Sequence, residues 1–338
     1  MTLMNVQCRL AARPVGLPKA SDWDIAEEPA PAPEEGQFCV QVEYLSVDPA
    51  MRSWMNAGRS YVPPVEIGEV MRAGGIGRVI DTRHPGFAVG ETVYGGFGVQ
   101  RYAVSDGTGV TPVDTTLAPA PVHLGVLGIG GLTAYFGLLD IGRPQPGQTV
   151  VVSGAAGSVG SVAGQIARIQ GCRVVGIAGG ADKCRWLVED LGFDAAIDYK
   201  GSDVRQQLRE HAPKGIDVFF DNVGGEILNA ALGRLARGAR VVICGAVSQY
   251  NAETRPTGPG NYMNLLVARA SMTGFVVFDY EDRYGEGVSQ LAAWLRSGEL
   301  QSHEDIVHGD IEQFPDVLLG LFEGANTGKL ILALEPEG

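Results

Sequence analysis

Three glycines spaced three apart, Gly154, Gly157 and Gly160, interrupt the run TVVVSGAAGSVGSVAGQIARIQG. Small residues at that spacing let a backbone approach a pyrophosphate closely. The helix that follows turns its first N–H groups and a partial positive charge toward such an anion. Ser158 and Val159 lie inside the same turn, and a phosphate hydrogen bond suits the Ser158 hydroxyl. The chemistry of the stretch is that of holding a dinucleotide. A tight strand-to-helix packing turn without a ligand is the plainer alternative, and the surrounding elements decide between them.

An NAD site usually carries Asp or Glu about twenty residues further on, at the end of the second strand, to hold the ribose 2′-hydroxyl. Here the chain reads GIAGGADKCR, with Gly179 and Gly180 at that place and Asp182, Lys183 and Arg185 after them. A missing carboxylate and an arriving lysine suit a 2′-phosphate. Lys183 alone would read as a solvated residue in the first turn of a helix; the absent acid favours NADP(H).

The elements that must position these residues follow from the pattern around them. TVVVSG reads as a short buried strand, SVGSVAGQIARIQG as a helix, CRVVGIAG as a second strand and ADKCRWLVEDLG as a second helix. AAIDYK, IDVFFDNVGG, RVVICGAVS and SMTGFVVFDY are further strand candidates, with helices such as ILNAALGRLARG between them. Such alternation implies an α/β fold, a Rossmann-type doubly wound parallel sheet covered on both faces. Residues 1 to about 120 instead show short alternating runs between Pro/Gly turns, a β-rich pattern. From about 302 there is one helix and a closing strand, GKLILAL.

Length and composition exclude several classes. The chain has 338 residues, 45% of them hydrophobic and 19% charged, and 48 glycines. It reads as a packed globular protein, and its length predicts two domains. A formal net charge of −13 and the lack of a Lys/Arg cluster argue against nucleic-acid binding. The stretch VHLGVLGIGGLTAYFGLL holds His123 and several glycines and reads as a buried helix with its entry, so no membrane association is expected. The first sixteen residues have no apolar core region, and no signal peptide is expected. Cys8, Cys39, Cys172, Cys184 and Cys244 are scattered and odd in number, which fits a reducing cytoplasm.

None of the histidines, His84, His123, His211, His303 and His308, has metal-ligand spacing with another His or a Cys, so no metal is expected. His303 and His308 flank acidic residues and read as surface helix or turn. No G-x-S-x-G marks a nucleophilic serine.

Several blocks in order resemble the medium-chain dehydrogenase/reductase superfamily, in its zinc-independent branch of prostaglandin reductases, alkenal double-bond reductases and curcumin reductase. They are YLSVDPAMRSWM (44–55), GLTAYFGLLDIG (131–142), GAAGSVGSVAGQIA (154–167), LGFDAAIDYK (191–200), FDNVGGEILN (220–229), ICGAVSQYN (243–251) and GFVVFDY (274–280). The resemblance implies a Rossmann domain over 124–301. It also implies a β-rich, GroES-like substrate or catalytic domain over 1–123 and 302–338. It assigns Lys183 and Tyr199 to the 2′-phosphate. Thr133, Asn222, Gly245 and Tyr250 fall around the ribose and nicotinamide, Phe275 and Val277 at the carboxamide through their backbone, and Asn326 as a late contact to the cofactor. In zinc-dependent members a Gly-His-Glu stands near IGEV (67–70), where Glu69 follows Gly68 directly. Two departures concern the pocket. Ala50 replaces a frequent Tyr, and Val267 stands where many members have another, although Tyr262 lies five residues earlier.

The implied reaction is NADPH-dependent reduction of a double bond conjugated to a carbonyl, with Tyr262, then Tyr250 and Tyr61, as candidate donors to the developing enolate oxygen. For Tyr250 a cofactor contact is the better reading, and for Tyr61 a buried aromatic with a satisfied hydroxyl. Two rival readings stay open: an NADPH:quinone oxidoreductase, and an NADPH-binding protein without turnover. The polar segment 248–264 is expected to close over the nicotinamide. The strand SMTGFVV is expected to pair across a two-fold axis to make a homodimer.

Overall fold

The computed structural model describes residues 3–335. It divides into two compact units, residues 1–124 with 304–338, and residues 125–303.

In the first unit β1 (Met4–Leu10) and β2 (Trp23–Pro29) form an antiparallel pair. β3 (Phe38–Ser46) is the long central strand. A short helix α1 (Ala50–Trp54) separates it from β4 (Gly75–Thr82), β5 (Thr92–Gly95), β6 (Tyr102–Ser105) and β7 (Thr111–Pro112). Arg52 in α1 is buried, and its guanidinium donates to the Pro14 and Gly16 carbonyls, which ties the 13–16 loop to the helix.

The second unit begins with α2 (Ile129–Phe136), which runs into a π-helical turn over Gly137–Gly142. Strands and helices then alternate. β8 (Thr149–Ser153) leads to α3 (Ser158–Ile169), β9 (Arg173–Ala178) to α4 (Ala181–Glu189) and β10 (Ala195–Asp198) to α5 (Val204–His211). β11 (Ile216–Asp221) leads to α6 (Gly225–Leu232), and β12 (Leu235–Ile243) to α7 (Val247–Tyr250) and α8 (Met263–Ala268). β13 (Ser271–Gly274) precedes a 3₁₀ stretch over Val277–Arg283 and α9 (Tyr284–Ser297).

All six strands are parallel, in the order β10-β9-β8-β11-β12-β13. This is the doubly wound order, in which direction reverses between the first and fourth strands. The parallel sheet expected from the strand–helix alternation is therefore present. Val151, Val175, Phe219 and Val241 share a core with Leu208 of α5 and Leu228 and Leu232 of α6. The alternate residues Val150, Val152, Val174 and Phe220 are equally buried. Alternation sends them to the opposite face, where α3 packs along β8 and β9.

The chain then returns to the first unit with β14 (Glu304–Gly309), α10 (Phe314–Glu323) and β15 (Lys329–Leu334). β14 runs parallel to β15, and β15 antiparallel to β3, in a sheet ordered β14-β15-β3-β4-β5-β7 with β6 also on β3. Phe38, Leu45, Met51, Phe314 and Leu332 fill its core.

Three sequence expectations are corrected. SMTGFVVFDY does not form one strand: it stops at Gly274, and a 3₁₀ turn carries Val277 onward. LARG belongs to β12 and not to the preceding helix, because Leu235 is already in register with Ile216. His308 lies in β14 and not in a surface helix or turn. Among the described residues no helix is long and apolar enough to cross a membrane.

Candidate dinucleotide site

β8 is buried over its whole length and ends at Ser153, next to the end of β11. This is the switch point of the sheet, where crevices open beyond the strand ends. Gly154 turns the chain with φ +59°, a left-handed conformation that favours glycine. A Cβ on Gly160 would stand 2.2 Å from the Gly154 carbonyl oxygen, so only glycine lets α3 start against the turn. A Cβ on Gly157 would meet only the Gly154 oxygen, at 3.3 Å, and the space beyond is open. Gly157 caps α3 with no side-chain hydrogen bond. The first-turn N–H groups at Ser158, Val159 and Gly160 thus face a cradle a side chain would fill, and that cradle fits a pyrophosphate. The Ser158 hydroxyl lies against α2: a Cβ on Gly130 would come within 2.6 Å of it.

A buried network fixes the neighbouring strand end. The Ser153 hydroxyl donates to Asp221 Oδ1 at 2.6 Å and accepts from the Asn222 N–H at 2.9 Å. Asn222 Nδ2 donates to the Ser153 carbonyl at 2.7 Å. The N–H groups of Val223 and Gly224 donate to the same Asp221 carboxylate. Burial raises the Asp221 carboxyl above its usual range, and the hydrogen bonds from Ser153, Gly224 and Val223 pull it down. Ser153 and Asp221 were not read from the sequence as site residues. Their signal was available in the D-N pair of FDNVGG, since a buried Asp at a strand end needs donors.

At the end of β12 the Tyr250 hydroxyl accepts from the Ala246 N–H at 3.2 Å, and a Cβ on Gly245 would stand 3.0 Å from it. Tyr250 is therefore pinned to the Gly245–Ala246 turn. The Thr133 hydroxyl donates to the Ile129 carbonyl one turn back in α2. Phe275 packs its ring edge-on against Phe220. Val277 is buried, and its carbonyl accepts from the Tyr284 hydroxyl.

The Gly179–Gly180 corner lies at the ends of β9 and β10. Gly180, at φ +97°, precedes α4 and donates its N–H to Asp198 Oδ1 at 2.8 Å. Lys183 sits in the first turn of α4. Tyr199 is 46% exposed and lies over Gly179, whose added Cβ would meet its Cε1 at 2.9 Å.

The structure thus gathers Gly154, Gly157, Ser158, Val159, Gly160, Asn222, Gly245 and Tyr250 at the carboxyl ends of β8, β11 and β12. Gly179, Lys183 and Tyr199 lie at the ends of β9 and β10, and Phe275 and Val277 follow β13. Tyr262 precedes α8 and is 59% exposed. The segment between α7 and α8 is held at its far end by Asn261 Nδ2, which donates to the Asn229 carbonyl at 2.7 Å. Tyr61 and Asn326 belong to the other unit. Tyr61 is 51% exposed and so is not the buried aromatic expected, although its hydroxyl is satisfied by accepting from Trp54 Nε1; buried Asn326 donates to the Gly328 carbonyl. Among the described residues no three His, Cys, Asp or Glu side chains are placed to hold a metal ion.

Residues 6–113 match a family model described as the N-terminal domain of oxidoreductase, and residues 158–294 one described as zinc-binding dehydrogenase. The NADPH-dependent curcumin reductase of Escherichia coli (strain K12) is 41% identical over 328 residues, 96% of this chain and 95% of that protein. The NADP(+)-dependent 2-alkenal reductase of Nicotiana tabacum is 36% identical over 344 residues, 98% of each. The crystal structure of CurA from Vibrio vulnificus in complex with NADPH superposes with a TM-score of 0.93 at 42% identity, over 98% of this chain and 100% of that one.

Proposed function

We propose that this chain, which belongs to the zinc-independent branch of the medium-chain dehydrogenase/reductase superfamily, reduces the carbon–carbon double bond of α,β-unsaturated aldehydes or ketones. It is an NADP-dependent oxidoreductase, a reductase of the curcumin and alkenal reductase type, with NADPH as its cofactor. The observation that supports the reading is the glycine cradle at the β8–β11 switch point, combined with a corner at Gly179 that carries no acid where an NAD site would hold one.

Bound NADPH supplies a hydride for the β-carbon of the conjugated acceptor. The residues of the chain do the rest. The first turn of α3 holds the pyrophosphate, and Lys183 and Tyr199 hold the 2′-phosphate. Asn222, fixed by Ser153 and Asp221, orients the ribose side. Thr133, Gly245 and the backbone of Phe275 and Val277 orient the nicotinamide. A neutral donor is needed where negative charge grows on the carbonyl oxygen. Tyr262 is the first candidate, then Tyr250, whose hydroxyl already serves the Gly245–Ala246 turn, and Tyr61. The unit holding 125–303 is the cofactor-binding domain in this reading. The β-rich unit, with Tyr61 and Asn326, is the substrate domain.

The assembly proposed is a homodimer. β13 is the edge strand, with all four residues exposed, Met272 among them at 40%, and Leu266 and Val267 nearby in the chain add apolar surface that is 69% and 67% exposed. Open edges of this kind are normally covered. Light scattering of the native chain beside Met272→Lys checks this; a monomer in both rejects it. A cytoplasmic location fits five cysteines that are all unpaired.

The reaction is tested by reducing a 2-alkenal with NADPH deuterated at C4 and reading the product by NMR. Deuterium on the β-carbon of a saturated aldehyde is the expected result. Deuterium on the carbonyl carbon of an allylic alcohol overturns it.

A further inference from the structure

The corner proposed above for the 2′-phosphate holds a second cation, Lys200. Gly179 stands where NAD-preferring enzymes place their acid. The space a side chain would fill there is already taken. A Cβ on Gly179 would meet Tyr199 Cε1 at 2.9 Å and Lys200 Cε at 3.0 Å. The lysine arm therefore lies across the glycine beside the tyrosine ring, although both residues are exposed at the surface.

What directs residues 199 and 200 to that place is the end of β10. Asp198 is in register with Ala178, and the Tyr199 N–H donates to the Ala178 carbonyl. Asp198 Oδ1 accepts from the Gly180 N–H at 2.8 Å and from the Lys200 N–H at 2.9 Å. One carboxylate thus ties the Gly180 turn to the first residues after β10. These backbone bonds hold the Asp198 carboxyl below the usual carboxylate range, so it stays ionised at neutral pH. An ionised carboxylate beside a phosphate that carries close to two negative charges is repulsive. The protein as a whole, at −13, adds to that. On α4 the Arg185 guanidinium is paired with Asp182, which leaves Lys183 to offset both.

We propose that Lys200 is a specificity-determining residue for NADPH, a second cation for its 2′-phosphate opposite Lys183. The proposal rests on the reading of this corner as the adenosine-ribose end of the cofactor site. Gly179 has two roles in it: it removes the acid that would favour NADH, and it leaves room for the Lys200 arm. The plain alternative is that Lys200 is a solvated counter-ion of Asp198.

Direct binding separates the two. Dissociation constants for NADPH, NADH and 2′,5′-ADP are measured by fluorescence and calorimetry with the native chain, Lys200→Met, Lys200→Arg and Lys183→Met. Lys200→Met is expected to weaken NADPH and 2′,5′-ADP roughly tenfold, to leave NADH unchanged, and to flatten the salt dependence of NADPH binding. Lys200→Arg, which keeps the charge, is expected to restore most of the loss. Unchanged NADPH binding in Lys200→Met, with a loss in Lys183→Met, overturns the role of Lys200 alone. An equal loss for NADPH and NADH makes Lys200 structural and overturns it too. A native chain that does not prefer NADPH to NADH overturns the reading of the corner itself.

Discussion

The ring of Phe275 occupies the space a side chain on residue 137 would need: a Cβ on Gly137 would meet Phe275 Cζ at 2.3 Å and Cε1 at 2.7 Å. Gly137 opens the π-helical turn that follows α2, and Phe275 follows β13, so the contact joins two elements 138 positions apart in sequence. The notch fixes the backbone from 275 to 277, which the proposed function sets against the nicotinamide carboxamide. Turns of π type recur at functional sites because they re-aim the residues beside them.

Gly137→Ala forces the ring out of the notch. Overpacking of this kind costs about 1–3 kcal/mol, and Tm should fall by several degrees. NADPH should bind several-fold more weakly. Calorimetry and fluorescence titration measure both, and an unchanged NADPH affinity separates the notch from cofactor binding.

Lys183 offers a charged contact in the first turn of α4. A hydrogen bond to a charged group contributes about 1.5–3 kcal/mol. Lys183→Met should therefore lose roughly ten- to a hundredfold in NADPH affinity and none in NADH affinity. Equal losses for the two cofactors would place the lysine outside the 2′-phosphate subsite.

Asp221 makes stability depend on pH. Burial raises its carboxyl above the unfolded value of about 3.9. The folded state then holds the proton more tightly, so the stabilisation is complete below the unfolded value and is lost as pH rises through the folded one. Asp221→Asn removes this dependence. The variant should compare best with the native chain at neutral pH and progressively worse toward about pH 4. A difference in Tm that is constant across that range contradicts the sign.

The three tyrosines differ in what already binds them. Tyr250 serves a backbone N–H, Tyr61 accepts from Trp54, and Tyr262 is exposed at the end of the 251–262 segment. The true enolate donor, changed to Phe, should lose roughly 10²–10³ in kcat. Full kcat in all three Phe variants would leave that work to the cofactor ribose hydroxyl. Saturating NADPH should also slow proteolysis between α7 and α8; cleavage at an unchanged rate would reject closure of that segment over the nicotinamide.

The doubly wound sheet was legible because buried strands alternate with helices, several of which run into a glycine, as α3 does at Gly171, α4 at Gly192 and α6 at Gly233. The glycine triplet was legible because its neighbours are a strand and a helix. The convergence at Gly179 was not. It depends on β10 lying beside β9 with Asp198 opposite Ala178, and periodicity reports burial without naming partners. The Gly137–Phe275 notch was hidden for the same reason. β14 was missed because none of its residues is buried, so EDIVHG carries no apolar alternation; its pairing with β15 holds it as a strand.

The most direct test of the account is the initial rate of NADPH oxidation with a medium-chain 2-alkenal or enone, beside a simple quinone, with NADH as the control. Fast turnover of the enal or enone with NADPH and little with NADH is the expected result. Turnover with the quinone alone would contradict the double-bond reductase reading and favour the quinone oxidoreductase alternative.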